Sequence, residues 1–415
     1  METCIVILIY SLLVINIGFN IFLSVLNYKN RNAKIPEELE DVYDMEKYCD
    51  WKNYYLENFR SDLISKVVSF LIIVLFLSLN IFNFIFDLSK TLSTNQSLQA
   101  LLVIGFYFLI DFLIDIGFSY YATFVIESKY GFNKMTSKTF ILDKVKTLIL
   151  TIVLGGGAIY GIVQLYLSSG NLFFFIAWGS AIAIMLFINL TYTKIFVPLF
   201  NKLTPMEDSP LKDKIYEFAE KVGYEISKIS VMDASRRTTK LNAYFSGFGK
   251  VKRIVLYDTL IDKMSDEEII AVLAHEIGHN KHKHIIFNLV QSILMLSIYI
   301  LGIMFFLDNE IFSLAFNFSE ISYGFNLILY VIMLSIFTLL LNLPLSYFSR
   351  KFEYQADAYA TINYSGETLI NALKILSREN FSNLTPHPLY VKFHYSHPPL
   401  KQRVEHIKSL KKDKS

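Results

Sequence analysis

The chain has 415 residues, of which 53% are hydrophobic and 18% charged, with a formal net charge of +2. That length would admit two or three soluble domains, but apolar runs of about 20 residues exclude an all-soluble protein. The near-neutral balance gives no support for a nucleic-acid partner.

Seven apolar segments predict membrane spans, over residues 4–26, 67–87, 98–126, 147–168, 172–199, 285–307 and 322–346. The first has Glu2 as its only early charge and no small-residue cleavage site, which favours a retained helix over a signal peptide. Lys and Arg concentrate in alternate connections: seven from Tyr28 to Lys66, five from Glu127 to Lys146, and many more after the fifth span and in the tail. The loops 88–97, 169–171 and 308–321 hold only Lys90. This asymmetry predicts an N-terminus outside, with every large loop and the C-terminus in the cytosol.

Within the spans, Asp111 and Asp115 are four apart and share a helical face. They mark either a water-filled interior or a packed polar contact. Gly155, Gly156 and Gly157 predict close helix packing. Cys4 and Cys49 imply neither a disulfide framework nor a thiolate metal site.

Residues 200–284 change character, interrupted by prolines and richer in charge. Ser209 to Val222 reads as an amphipathic helix. The runs KISVMDA (228–234), LNAYFSGF (241–248) and RIVLYDTL (253–260) predict a small antiparallel sheet. Ser265 with Glu268 three residues later is a capping box. The helix it opens is expected to continue through the histidines towards span six. The chain thus divides into 1–199 (spans one to five), 200–284 (sheet and His-rich helix), 285–349 (spans six and seven) and 350–415 (a second cytosolic segment).

LAHEIGHNKHKHII, residues 273–286, holds four of the eight histidines. His275 and His279 lie about one helical turn apart, so both imidazoles leave one face. Two such nitrogens suit Zn²⁺, and Glu276 is placed to take a proton from water that the metal activates. This is the HExxH pattern. The competing reading is a chance match in a His-rich interfacial collar, and the capped helix with a possible edge strand before it argues for a metal. His282 and His284 rotate away from that face and lie among Lys281 and Lys283, which reads as a basic collar at the membrane. A third ligand must come from elsewhere. Glu353 leads: it opens EYQAD just past span seven, with Asp357 one turn on, able to accept a hydrogen bond from a ligand imidazole. Ala356, Ala358 and Ala360 would let two helices approach. Glu367 and Glu405 lack that helical context.

HEIGH, SRKFEYQADAYA, TTKLNAYFSGFGKVKRIVLYDTL, HYSHPPLKQRV, PLFNKLTPMEDSPLK and ESKYGFNKMT together resemble motifs of the type I CAAX prenyl endopeptidases. The resemblance runs from about residue 120 almost to the C-terminus. It implies an all-α polytopic membrane protein with a small α+β zinc-protease domain, its seven helices forming a barrel around a water-filled chamber. It implies one Zn²⁺ per chain, held by His275, His279 and Glu353, with Glu276 as base and later acid. Asn242 and Ala243, in the edge strand, would hold the substrate backbone. His397 and Arg403 would line the site and stabilise the developing oxyanion. Apart from the resemblance, His397 reads as a Pro-flanked turn residue and Arg403 as a surface charge.

The implied reaction cuts a prenylated CAAX protein after its modified cysteine and releases the last three residues. The implied partners are that peptide or protein substrate and the lipid bilayer. The membrane would be the endoplasmic reticulum in a eukaryote or the inner membrane in a prokaryote. Two other readings use the same residues. One is a prokaryotic homologue acting in membrane-protein quality control on unprenylated clients. The other is a metal transporter or channel, which leaves Glu276 without a role.

Overall fold

The computed structural model describes residues 1–246 and 253–412. Helix dominates, as lipid requires of segments whose backbone groups must be satisfied internally. Among the described residues, six helical runs are long and apolar enough to cross a membrane. The labelled helices among them are α1 (Glu2–Asn30), α2 (Met45–Ser78), α3 (Gln96–Tyr121), α4 (Gly157–Ser169) and α5 (Phe173–Thr191). The run Ser137–Phe200 contains both α4 and α5. It is folded at Gly170, whose φ of 50° opens the turn, and Tyr166 meets Phe173 edge-on across it at 5.1 Å. Seven spans are obtained only when the two arms of this run are counted separately.

The span expected over 67–87 is broken. Asn80 adopts φ 54°, a left-handed conformation that asparagine tolerates better than most residues. The spanning helix is α2, and the short helix Ile81–Leu92 that follows buries Phe82, Ile85, Phe86 and Ser89. That i, i+3, i+4, i+7 stripe turns it against protein rather than lipid.

Between the long helices lies a cavity of about 760 Å³, lined by residues such as Asn16, Lys66, Asp111, Ile159, Ile303 and Tyr330. Asp115 pairs with Lys144 at 2.7 Å. Asp111 thus borders the cavity while Asp115 makes a packed polar contact, so the pair divides between the two readings. In the glycine triplet, Gly156 makes the close approach: a Cβ there would lie 3.3 Å from Leu101 Cδ1.

The segment 200–284 contains β1 (Leu203–Pro205), α6 (Pro210–Lys221), β2 (Lys228–Met232), β3 (Ala243–Ser246), β4 (Arg253–Tyr257) and α7 (Asp266–Lys281). Residues 247 and 248 of the expected second strand lie outside the described residues. The sheet order is β1-β2-β4-β3. It is not wholly antiparallel: β2 and β4 run parallel. The chain crosses from β2 to the outer position, forms β3, then returns antiparallel as β4 between them. A central place suits β4, whose Ile254, Val255 and Leu256 are at most 1% exposed. That leaves β3 at an edge.

Further along the chain come α8 (His284–Phe306), α9 (Tyr323–Ala360), α10 (Gly366–Glu379), α11 (Pro388–His394) and α12 (Leu400–Lys412). Helix α9 runs without interruption from its apolar spanning part into the polar C-terminal segment, across the expected boundary at 349/350. One core joins α6, the sheet, α7, α10 and α12 with Leu39, Val42 and Tyr43 from the connection after α1 and Trp51 from the first turns of α2. The expected continuous helix through the histidines is not formed. Helix α7 stops at Lys281, Lys283 turns left-handed with φ 58°, and α8 starts anew at His284.

Candidate metal centre

Helix α7 begins on the capping box: Glu268 N–H donates to Ser265 Oγ at 3.3 Å, and Ser265 N–H donates to Glu268 Oε2 at 2.9 Å. This satisfies two otherwise orphaned amides and fixes the rotation of the helix. Ile269 to Ala274 are all buried, which holds His275 against α9. The two helices touch closely because Gly278, inside HEIGH, has no side chain. A Cβ there would lie 3.0 Å from both Ala356 Cα and Tyr359 Cβ.

His275, His279 and Glu353 converge, each offering one ligand atom within 4.8 Å of the others. His275 Nε2 is 3.2 Å from His279 Nε2. Glu353 Oε1 is 3.2 Å from His279 Nε2, and Oε2 is 3.5 Å from His275 Nε2. Ligands about 2.1 Å from a tetrahedral zinc sit about 3.4 Å apart, so the spacing fits. Glu353 Oε2 is also buried and makes no close hydrogen bond among the described residues, His275 Nε2 and Arg403 Nη1 each coming only to 3.5 Å. A buried acceptor in that condition is what a bound cation would satisfy.

His275 is oriented from behind. Its Nδ1 lies 2.8 Å from Asp357 Oδ1, which leaves Nε2 facing the centre. Burial opposes charge on His275, but its hydrogen bonds to Asp357 and Glu353 outweigh that and raise it to about 9. Asp357 is fully buried and gripped by Arg403, whose Nε and Nη2 donate to it at 2.8 and 2.6 Å. Arg403 is therefore no surface charge: two of its nitrogens serve Asp357, and Nη1 lies 3.5 Å from Glu353 Oε2. Burial opposes its charge, but Asp357 and Glu353 hold the guanidinium firmly protonated.

His279 is backed by a residue assigned above to the collar. His284 Nδ1 is 3.0 Å from His279 Nδ1, and its Nε2 is 2.8 Å from Gln355 Oε1. Its ring stacks on Phe352 at 4.1 Å. His284 is 4% exposed, so the collar reading fails for it. The left-handed turn at Lys283 folds it back beneath His279. His282 stacks on His284 at 5.6 Å without joining that hydrogen-bonded line.

Glu276 follows His275 on α7. Burial, offset by the nearby imidazoles, holds its carboxyl above the ordinary carboxylate range. His397 stands across the centre, Nε2 3.3 Å from Glu353 Oε1, with Nδ1 2.9 Å from Ser396 Oγ. Asn242 and Ala243 lie at the start of the edge strand, where Ala243 N–H donates to Asn242 Oδ1 at 2.9 Å. Asn242, His397 and Arg403 line one cavity of about 560 Å³. Glu367, at the start of α10, is not among the converging ligands. Glu405, on α12, pairs with Lys401 at 3.6 Å. Reading by residue type missed Gly278 and Gln355 and set His284 in the collar. The glycine inside HExxH was the only available signal.

Comparison with known proteins matches both halves of the chain. Residues 24–202 match the family described as CAAX prenyl protease N-terminal, five membrane helices. Residues 205–411 match peptidase family M48. Over 379 residues the chain is 34% identical to a CAAX prenyl protease 1 homolog of Oryza sativa subsp. japonica, covering 89% of each. It is 32% identical over 424 residues to CAAX prenyl protease 1 of Saccharomyces cerevisiae, covering 93% of each. The crystal structure of S. mikatae Ste24p matches with a TM-score of 0.91 and 30% identity, over 98% of this chain and 99% of that one.

Proposed function

Because the chain belongs to the CAAX prenyl protease family of M48 metallopeptidases, we propose that its metal is zinc and its substrate a prenylated protein ending in CAAX. It is an integral, multi-pass membrane metalloendopeptidase. The observation that carries the zinc reading is the convergence of His275, His279 and Glu353, an N₂O donor set, with the Glu276 carboxylate close enough to feel both imidazoles. When bound, zinc supplies Lewis-acid polarisation and eases the deprotonation of water.

The chain's own residues do the rest. Glu276 takes the proton of the attacking water and later delivers it to the leaving amine. His397 donates to the oxygen on which charge develops. Arg403 acts through Asp357, which holds the Nδ1–H of His275 and so keeps Nε2 aimed at the centre. The substrate backbone pairs with β3 at Ala243, the open edge of the sheet. The cavity among the long helices, with Asn16, Lys66 and Asp111 in its walls, serves as part of a hydrated chamber. The Lys and Arg distribution sets the metal centre on the cytosolic side.

The test is product analysis on the zinc-loaded protein in detergent. A farnesylated peptide ending in CAAX and its unprenylated counterpart are supplied separately. Release of the last three residues from the farnesylated peptide alone is the expected result. Cleavage of the unprenylated peptide alone would overturn the CAAX reading and support quality control.

A further inference from the structure

The free edge of the sheet is closed at one end by a side chain. Tyr257 N–H donates to Asn242 O at 3.2 Å, so Asn242 faces β4. In an antiparallel ladder alternate residues turn their backbone groups to the other side. Leu241, Ala243 and Phe245 therefore face outward. At Leu241 both groups are taken by Asn380, just past the end of α10. Leu241 N–H donates to Asn380 Oδ1 at 2.8 Å, and Asn380 Nδ2 donates to Leu241 O at 3.0 Å. That is the two-bond exchange a neighbouring strand would make.

The same place opens into the 560 Å³ cavity that Asn242, His397 and Arg403 share with Asn380 and Asn383. Asn383 Oδ1 accepts from Thr385 N–H at 2.9 Å. Its Nδ2, however, is buried with no acceptor among the described residues. A buried donor left unpaired is costly, and it calls for an acceptor brought from outside.

We propose that this cavity receives the free carboxyl terminus of an extended peptide substrate, with Asn380 ending the β-ladder and Asn383 Nδ2 donating to the terminal carboxylate. The inference rests on the peptidase reading above. The peptide runs antiparallel to β3, as β4 does on the other side, and antiparallel pairing is the more stable per residue. Its carboxyl end then points towards Leu241, where the Asn380 amide already fills the next rung. The cleaved bond is thereby fixed at a set distance from the chain terminus. Asn380 and Asn383 act as specificity residues and take no part in the bond-breaking step.

The experiment uses the full-length, zinc-loaded protein and three farnesylated peptides that share one cleavage site. One ends in a free carboxylate, one in a carboxamide, and one continues for two further residues. For the wild type, kcat/KM is expected to be about tenfold higher for the free acid than for either other peptide, the difference lying mainly in KM. Asn383→Ala brings the acid-to-amide ratio to within about threefold. Asn380→Ala relieves the penalty on the extended peptide. Each ratio compares two substrates on one preparation, so partial misfolding cancels. Equal cleavage of all three by the wild type would overturn the proposal, as would wild-type ratios in both variants. Failure to cut any peptide, with zinc bound, would instead overturn the peptidase reading beneath it.

Discussion

His279 Nδ1 and His284 Nδ1 lie 3.0 Å apart, and the far nitrogen of His284 lies 2.8 Å from Gln355 Oε1. His279 can offer Nε2 to a metal only if Nδ1 carries its proton. His284 accepts that proton's hydrogen bond when its own proton sits on Nε2, facing the Gln355 oxygen. The line Gln355–His284–His279 thus does for one ligand what Arg403–Asp357–His275 does for the other. Loss of such outer partners commonly weakens metal affinity about 10–100-fold. His284→Ala is expected to fall in that range in a chelator competition assay, while Gln355→Glu should retain most of the affinity. Unchanged affinity in His284→Ala would remove His284 from the site.

The Asp357–Arg403 pair is the second test. Removing one partner of a buried ion pair costs about 3–5 kcal/mol, whereas replacing both by apolar groups is often tolerated. Asp357→Ala should therefore lower thermal stability in detergent markedly, and Asp357→Leu with Arg403→Met should recover much of it. Both proteins should bind zinc weakly, because His275 has lost its orienting partner. Recovery of tight zinc binding in the double variant would contradict the role given to Asp357.

Gly278 separates packing from chemistry. A methyl group there would meet Ala356 Cα at 3.0 Å, while one at Gly157 meets nothing within 4 Å. Overpacking of this kind costs about 1–3 kcal/mol, and an open helical Gly→Ala gains up to about 1 kcal/mol. Gly278→Ala should melt earlier than wild type and Gly157→Ala no earlier. Equal melting of the two would mean that α7 and α9 are less tightly apposed than described.

Metal loading should depend on pH in a set direction. Burial opposes charge on His275, but Asp357 and Glu353 raise it to about 9 in the metal-free protein. At neutral pH a metal must displace that proton, so affinity weakens as pH falls below about 9, approaching tenfold per unit. Zinc competition titrations between pH 6 and 8 give the slope. A flat profile would contradict a protonated His275.

The sequence made some of this legible because the chemistry was local. HExxH places its groups within one helical turn, and the capping box fixes where that turn begins. Glu353 lay in view because it opens a polar stretch immediately after an apolar run. His284 did not. Five residues along a continuous helix would put it about 140° from His279, and only the left-handed Lys283 brings it back. The Arg403–Asp357 clasp joins residues 46 apart in sequence and shows only once α12 packs on α9. The parallel pairing of β2 with β4 escaped for a similar reason. Alternation marks a strand but not its neighbour, and the inward place of β4 was decided by burial on both faces.

Glu276 is assigned the proton transfer in a metal-centred hydrolysis. The direct measurement compares wild type and Glu276→Gln, both assayed for bound zinc and for the rate of cleavage of a farnesylated CAAX peptide. One zinc per chain is expected in both proteins, with a rate about 10²–10⁴ lower in the variant, the usual weight of a general base. A variant that keeps its zinc and cleaves as fast as wild type would contradict it.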